Sequence, residues 1–187
     1  MYIIKNTLAA SLVLSISSWC MAAGNPVAVG DVVGRDLSVA LVGFLGHVGL
    51  LASNNNVSEV NQATDYVDVV RFKTVEGFKT DKYWGAKAKS NFGFKAPYTS
   101  ASNQIIGLSN QQRPYVAYTL WSATAKPAVQ ECTRYDANGK CTAFSWKKGT
   151  FRCDSFVRWM YEQTGNGSLG GSLPRTTFNS SLLTITR

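Results

Sequence analysis

The strongest periodic pattern in the sequence lies near its C-terminal end. Apolar and small side chains recur there at the spacing of one helix face, at Cys153, Phe156, Val157, Met160, Tyr161 and Thr164. Gly165 follows at once, which is typical of a helix C-terminus. A helix with one apolar face must pack on another layer, so the pattern predicts a half-buried helix with Cys153 in its first turn.

The first part of the chain predicts the layer on which that helix packs. Short apolar segments bounded by turn residues occur at 32–33, 46–52, 57–61 and 66–72, and each favours a strand. The apolar run 37–44 fits either a strand or a helix, and residues 82–89 and 103–108 are interpreted as helical. We therefore predict an α+β fold with an antiparallel sheet packed on the cysteine-bearing helix.

The N-terminus has the organisation of a secretory signal peptide. Lys5 precedes an apolar run at 8–16, and the small residues Ala22 and Ala23 follow. The apolar run is too short to span a bilayer, and no later segment is long enough. The sequence predicts a signal peptide over residues 1–23, an exported single domain over 24–187, no transmembrane segment after cleavage, and a secreted or periplasmic location.

Export predicts an oxidising compartment, in which cysteines can pair. Cys132 and Cys141 flank the hairpin-turn dipeptide 138–139 (NG), so strands at 129–135 and 141–146 would bring them together. We expect a disulfide there, with Cys153 as the odd thiol. One histidine and no CxxC pair argue against the common metal sites, and we predict no metal and no cofactor.

The overall charge narrows the possible partners. The chain carries 19 Lys and Arg against 11 Asp and Glu, a net charge of +8, and it is 45% hydrophobic. This composition excludes a disordered chain and suits an acidic polymer or an anionic surface. No nucleic-acid-binding motif accompanies the charge, so we predict no specific nucleic-acid partner. The sequence leaves the oligomeric state open.

Three residues could together carry nucleophilic chemistry. A helix N-terminus favours the thiolate of Cys153, and the adjacent Arg152 would add to that effect. His47 is the only imidazole available as a base. Glu59 would lie opposite His47 across a five-residue loop and could orient its ring, whereas other registers would bring Asn61 there instead. The simpler alternative is that Cys153 is a buried core residue.

At these positions the chain resembles the permuted NlpC-like cysteine hydrolases, circularly permuted papain-fold enzymes of the YiiX/YaeF type. The similar segments are GDVV (30–33), GHVGL (46–50), VSEV (57–60) and FRCDSFV (151–157). In the permuted members the histidine strand precedes the cysteine helix, as it does here. The resemblance spans roughly residues 29–178, with its motifs at the two ends.

The resemblance implies a catalytic triad and a class of substrate. Cys153 would attack a carbonyl carbon, His47 would take and return the proton, Glu59 would orient His47, and the Cys153 backbone N–H would help to bind the oxyanion. The implied substrate is an amide in a peptidoglycan peptide or an acyl group on a lipid. Insertions at 34–45 and 73–128 depart from the pattern and could line a groove. A lipid-directed thioesterase or acyltransferase and a non-catalytic exported binding module remain as alternatives.

Overall fold

The computed structural model describes residues 26, 28–37, 45–62, 69–80 and 82–186. The predicted signal peptide and most of the apolar run at 37–44 lie outside these residues. The strands are β1 (Val32–Arg35), β2 (His47–Leu51), β3 (Asn56–Val60), β4 (Val70–Thr74), β5 (Tyr83–Ala88), β6 (Val116–Tyr118), β7 (Val129–Tyr135), β8 (Cys141–Lys147), β9 (Gly149–Phe151) and β10 (Leu183–Ile185). The helices are α1 (Val75–Phe78), α2 (Ala101–Gln112), α3 (Cys153–Thr164) and α4 (Pro174–Thr177).

The central layer is a six-stranded sheet in the order β10-β5-β1-β2-β3-β4. Every neighbouring pair in it is antiparallel. The main core joins sheet residues such as Leu50 to α2 and α3, and a smaller cluster contains Leu51, Val57 and Phe78. Leu50 and Leu51 belong to different clusters because successive strand residues point to opposite faces. The predicted α+β class with an antiparallel sheet is therefore confirmed.

The cysteine-bearing helix follows its sequence pattern closely. α3 begins at Cys153, and Gly165 ends it with a φ of 82°, the left-handed conformation that glycine adopts without strain. At the N-terminus the Arg152 backbone N–H donates a hydrogen bond to Ser155 Oγ at 2.9 Å. The predicted apolar face is buried, and the helix is more deeply buried than predicted, since Asp154, Ser155 and Trp159 outside that face are also buried.

Two predictions of secondary structure need correction. Residues 82–89 are not helical, since Tyr83–Ala88 form β5 between β1 and β10. Alanine and lysine favour helices locally, but the two neighbouring strands satisfy the backbone hydrogen bonds here and override that preference. The strand expected at 66–72 is described as Val70–Thr74, and residues 66–68 lie outside the described part. The helix expected at 103–108 is present and longer, as α2.

The predicted disulfide hairpin is confirmed. β7 and β8 pair as an antiparallel ribbon, and a disulfide joins Cys132 to Cys141 with their Cα atoms 5.8 Å apart. Gly139 in the turn has a φ of 77°, as the dipeptide at 138–139 requires. Most side chains of this hairpin are exposed. None of the described helices is long and apolar enough to cross a bilayer.

Candidate active site

His47 is the first residue of β2, and its backbone is set by the glycine before it. Gly46 has a φ of 76°, and a Cβ at that position would lie 2.8 Å from the indole of Trp84. The chain thus turns tightly under Trp84 before it enters the strand. The side chain of His47 is buried, with its ring centroid 5.7 Å from that of Phe78.

The predicted register between His47 and Glu59 is wrong, although the two side chains do meet. Glu59 lies opposite Gly49, two residues beyond His47, because the turn closes at Ala52. A displacement of two keeps both side chains on one face, where diagonal neighbours are within reach. His47 Nε2 donates a hydrogen bond to Glu59 Oε2 at 2.7 Å.

Gly49 lies opposite Glu59, on the face that carries the side chains of His47 and Glu59. A Cβ there would lie 2.4 Å from Val57 Cγ1, so a side chain at this position would disturb the face that His47 and Glu59 share. Asn61, the alternative third residue, makes a different contact, since its Oδ1 accepts a hydrogen bond from the Gln62 backbone N–H at 2.8 Å. Glu59 is the side chain that orients the imidazole.

The second oxygen of Glu59 is also bound. Arg71, directly opposite Glu59 on β4, donates a hydrogen bond from Nε to Glu59 Oε1 at 2.6 Å. Glu59 is fully buried, whereas Arg71 is 28% exposed, so the guanidinium reaches the carboxylate from the molecular surface. The sequence analysis missed Arg71, although it follows Glu59 at the same twelve-residue spacing that separates Glu59 from His47.

Cys153 completes a row of four side chains, which runs from Cys153 through His47 and Glu59 to Arg71. It opens α3, its side chain is only 2% exposed, and its thiol lies close enough to His47 to help raise the pKa of that imidazole. Because Nε2 of His47 is bound to Glu59, Nδ1 is the nitrogen left to face the sulfur. The structure therefore brings together all three residues that the sequence analysis selected.

Tyr118 is a second residue that the sequence analysis missed. It ends β6, which pairs in parallel with β9, and β9 leads directly into α3. This pairing places the Tyr118 side chain beside the Cys153 thiol, close enough for the two groups to influence one another's charge. Burial, and after it the negative charge of Cys153, raises the pKa of Tyr118, so its hydroxyl stays protonated and can donate. No local pattern in the sequence marks this residue.

The electrostatics of the site favour a charged pair of His47 and Glu59. Burial on its own would lower the pKa of His47, but interactions with Cys153 and Glu59 raise it to about 9. Burial would likewise raise the pKa of Glu59, but contacts with His47 and Arg71 lower it to about 2. At neutral pH the imidazole is therefore protonated and the carboxylate ionised.

Arg152 lies beside the thiol as expected, and it also has a carboxylate partner, since the hydrogen bonds and charge of Asp154 and, after them, the charge of Cys153 raise its pKa. Its guanidinium donates from Nε and Nη2 to the two oxygens of buried Asp154, at 2.5 and 2.8 Å, and that carboxylate neutralises its charge. Arg158 Nη1 donates to the same carboxylate at 2.7 Å. Burial opposes ionisation of Asp154, yet the two guanidiniums lower its pKa.

The remaining hydrogen bonds of this cluster reach neighbouring loops. Arg152 donates to the backbone carbonyls of Leu120, at 3.4 Å, and Ser172. Arg158 Nη2 donates to the carbonyl of Ala123 at 2.5 Å. The start of the cysteine helix is thus fastened to two loops. Across the described ranges, no three His, Cys, Asp or Glu side chains are grouped as a metal site would require.

Comparisons with known proteins give no relative for this chain. No protein-family model, no curated protein and no solved structure matches it. The functional interpretation therefore rests on the row formed by Cys153, His47, Glu59 and Arg71, with Tyr118 beside the sulfur.

Proposed function

We propose that this protein is an exported cysteine hydrolase that cleaves amide bonds in cell-wall peptides, on a permuted papain-like fold of the NlpC type. The observation that carries the proposal is the hydrogen bond from His47 to Glu59, with the buried Cys153 thiol beside the same imidazole. A nucleophile, a base and a residue that orients the base are the parts that covalent acyl transfer needs.

In the first half of the reaction, the Cys153 sulfur attacks the amide carbon and forms a tetrahedral intermediate. When the C–N bond breaks, protonated His47 gives the proton on Nδ1 to the departing amine, and a thioester on Cys153 remains. In the second half, water gives a proton to His47 as its oxygen attacks the thioester carbon. The thiolate then leaves, and the acid is released.

Two donors are available for the oxyanion of the tetrahedral intermediates. The backbone N–H of Cys153 lies at the N-terminus of α3, where helix amides have no intrahelical acceptor. The protonated hydroxyl of Tyr118 lies beside the sulfur, and is therefore near the carbon that the sulfur attacks. We assign Tyr118 to this role because a neutral donor stabilises the developing negative charge.

The proposed substrate and location follow from charge and cysteine chemistry. A chain with a net charge of +8 is attracted to acidic polymers, and cell-wall peptides carry free carboxylates. The Cys132–Cys141 disulfide favours an oxidising compartment, which supports a secreted or periplasmic location.

One observation favours a second candidate, a lipid-directed thioesterase or acyltransferase. Leu120 and Trp121 follow Tyr118 and are 52% and 94% exposed. Arg152 and Arg158 bind the carbonyls of this loop, so the apolar pair is held close to the start of the cysteine helix. Exposed leucine and tryptophan suit contact with acyl chains or a membrane interface.

The test compares two substrate classes with one active-site variant. Purified peptidoglycan fragments and short-chain acyl thioesters are incubated with the protein, and released amines or thiols are measured. We expect amide cleavage that Cys153→Ala abolishes without a change in thermal unfolding. Cleavage of thioesters alone would favour the second candidate. Activity that persists in Cys153→Ala would contradict both, and inactivity on both classes would favour the non-catalytic binding module.

A further inference from the structure

Glu59 is a buried carboxylate shared between two cationic partners. His47 donates to Oε2 at 2.7 Å, and Arg71 donates to Oε1 at 2.6 Å. Imidazolium, carboxylate and guanidinium therefore alternate in charge, and Cys153 lies beyond the imidazolium. A cation on each side of the carboxylate makes its burial tolerable.

We propose that Arg71 is a positioning residue of this site, which holds Oε1 of Glu59 so that Oε2 stays ionised and aimed at His47 in acidic conditions. The inference rests on the proposed triad and concerns the pH range over which that triad works. Arg71 touches neither the sulfur nor the imidazole in the described contacts, and it acts through Glu59.

The sheet fixes this arrangement. Arg71 and Glu59 are direct cross-strand partners on β4 and β3, whereas His47 on β2 is a diagonal neighbour. The carboxylate therefore has one partner on each side, and neither contact depends on a loop. The planar guanidinium donates from Nε at a fixed angle, which the single nitrogen of a lysine cannot reproduce.

The titratable groups around Glu59 come from five elements. His47 faces it from β2 and Arg71 from β4. Cys153 on α3 lies beyond His47, with Tyr118 of β6 against the sulfur. The next cation is Arg35 on β1, which pairs with His47 across the strands and has its guanidinium 5.2 Å from the centre of the Phe78 ring. Of these groups, Arg71 alone binds Oε1.

The direction of the pH effect follows from charge. A guanidinium beside the carboxylate favours its ionised form, so loss of Arg71 lets Glu59 take up a proton at a higher pH. Protonated Glu59 no longer attracts the imidazolium, and Oε1 would lack its partner. In a plot of the Cys153 alkylation rate against pH, the fall in rate on the acidic side (the acid limb) should then move towards neutral pH. A merely structural residue would change stability without moving that limb.

The single histidine of the chain makes the experiment direct, since ¹⁵N-labelled protein gives one pair of imidazole nitrogen signals. These signals and the alkylation rate of Cys153 are followed from pH 3 to 9 in wild type, Arg71→Gln and Arg71→Lys. Lys73→Gln is the matched control, because it removes one cation from the same strand and Lys73 pairs with Val57. Circular dichroism monitors folding at each pH.

We expect the wild-type and Lys73→Gln imidazole signals to stay flat between pH 3 and 5, and those of Arg71→Gln to change there. At pH 4, Arg71→Gln should alkylate about tenfold more slowly than wild type, as expected from loss of a charge-assisted hydrogen bond. Arg71→Lys keeps the charge, so its acid limb should not move, although its rate at pH 7 should fall about threefold because the Nε geometry is lost.

The outcomes separate this inference from the proposed function. Flat signals and an unchanged pH profile in folded Arg71→Gln would overturn the role of Arg71. If Arg71→Gln does not fold, Arg71→Lys decides: a slower rate at pH 7 with unchanged thermal unfolding supports the role, and an unchanged rate overturns it. A wild-type Cys153 no more reactive than a free thiol would contradict the proposed function, while the imidazole signals would still test the contact between Arg71, Glu59 and His47.

Discussion

The orientation of the His47 imidazole follows from the sheet face that it shares with Glu59, whose Oε2 accepts a hydrogen bond from Nε2 at 2.7 Å. Strand periodicity of two places His47 and Glu59 on one face in every register displaced by an even number of residues. The predicted register places the two residues directly opposite each other. In the structure Glu59 lies opposite Gly49, so His47 and Glu59 are diagonal neighbours. The place of Arg71 and Tyr118 in the site was not predicted, because it depends on strand pairing that no local pattern specifies.

At the residue scale, the ionised state of Glu59 should contribute to stability. Its pKa is about 2 in the folded protein against an ordinary value of 4.5, so the contribution is present above pH 4.5 and is lost as the pH falls towards 2. At about 1.4 kcal/mol per pKa unit, the contribution is on the order of 3 kcal/mol.

Denaturant unfolding at pH 5 and pH 3 measures this contribution. Wild type should lose more free energy of unfolding on acidification than Glu59→Gln, which has no carboxylate to protonate. Glu76→Gln, at a carboxylate that is 80% exposed, is the matched control and should behave like wild type. Equal losses in wild type and Glu59→Gln would contradict the charged state assigned to Glu59.

A second prediction at this scale concerns Tyr118. Removal of its hydroxyl in Tyr118→Phe should lower kcat by about 100-fold, as for other lost oxyanion donors, with little change in KM. Alkylation of Cys153 should persist, because His47 is untouched. Tyr115→Phe is the control, since that ring stacks on Trp146 outside the row. A normal kcat in Tyr118→Phe would remove Tyr118 from the oxyanion site.

At the element scale, α3 is fastened by the cluster of Arg152, Asp154 and Arg158. Asp154→Asn would leave two buried guanidiniums without their carboxylate. Loss of one partner of a buried ion pair typically costs about 3–5 kcal/mol, and we expect a loss of that size in denaturant unfolding. Glu162→Gln, on the exposed side of the same helix, should change stability by less than about 0.5 kcal/mol. Similar losses in both variants would show that the cluster does not hold the helix.

The elements also show where local sequence patterns suffice. α3 and the disulfide hairpin were predicted closely because each carries its own boundary signals, a glycine at the helix end and a turn dipeptide between two cysteines. β5 was misassigned because its Ala and Lys residues favour a helix in isolation. Its strand form depends on pairing with β1 and β10, which are distant in sequence.

At the scale of the whole molecule, the sheet order explains the site. β2, β3 and β4 are neighbours and carry His47, Glu59 and Arg71, and α3 places Cys153 beside the start of β2. The sequence predicted the α+β class and the three candidate residues. It could not predict the sheet order or Arg71, because both follow from long-range packing.

The disulfide hairpin should be separable from this site. It is mostly exposed, and neither of its cysteines takes part in the row. Replacement of Cys132 and Cys141 by serine should increase amide hydrogen exchange in β7 and β8 while Cys153 reactivity stays within about twofold of wild type. A large loss of Cys153 reactivity would show that the hairpin supports the site.

The most direct test of the central claim is the alkylation rate of Cys153 by iodoacetamide against pH, in wild type and in His47→Ala. Cys153 is the free cysteine of the described chain, so mass spectrometry of the unreduced protein reports it directly. We expect rapid alkylation at pH 6 that falls at least tenfold when His47 is removed, because the imidazolium stabilises the thiolate. Slow alkylation at pH 6, equal in both proteins, would contradict an activated thiolate–imidazolium pair and make Cys153 a core residue.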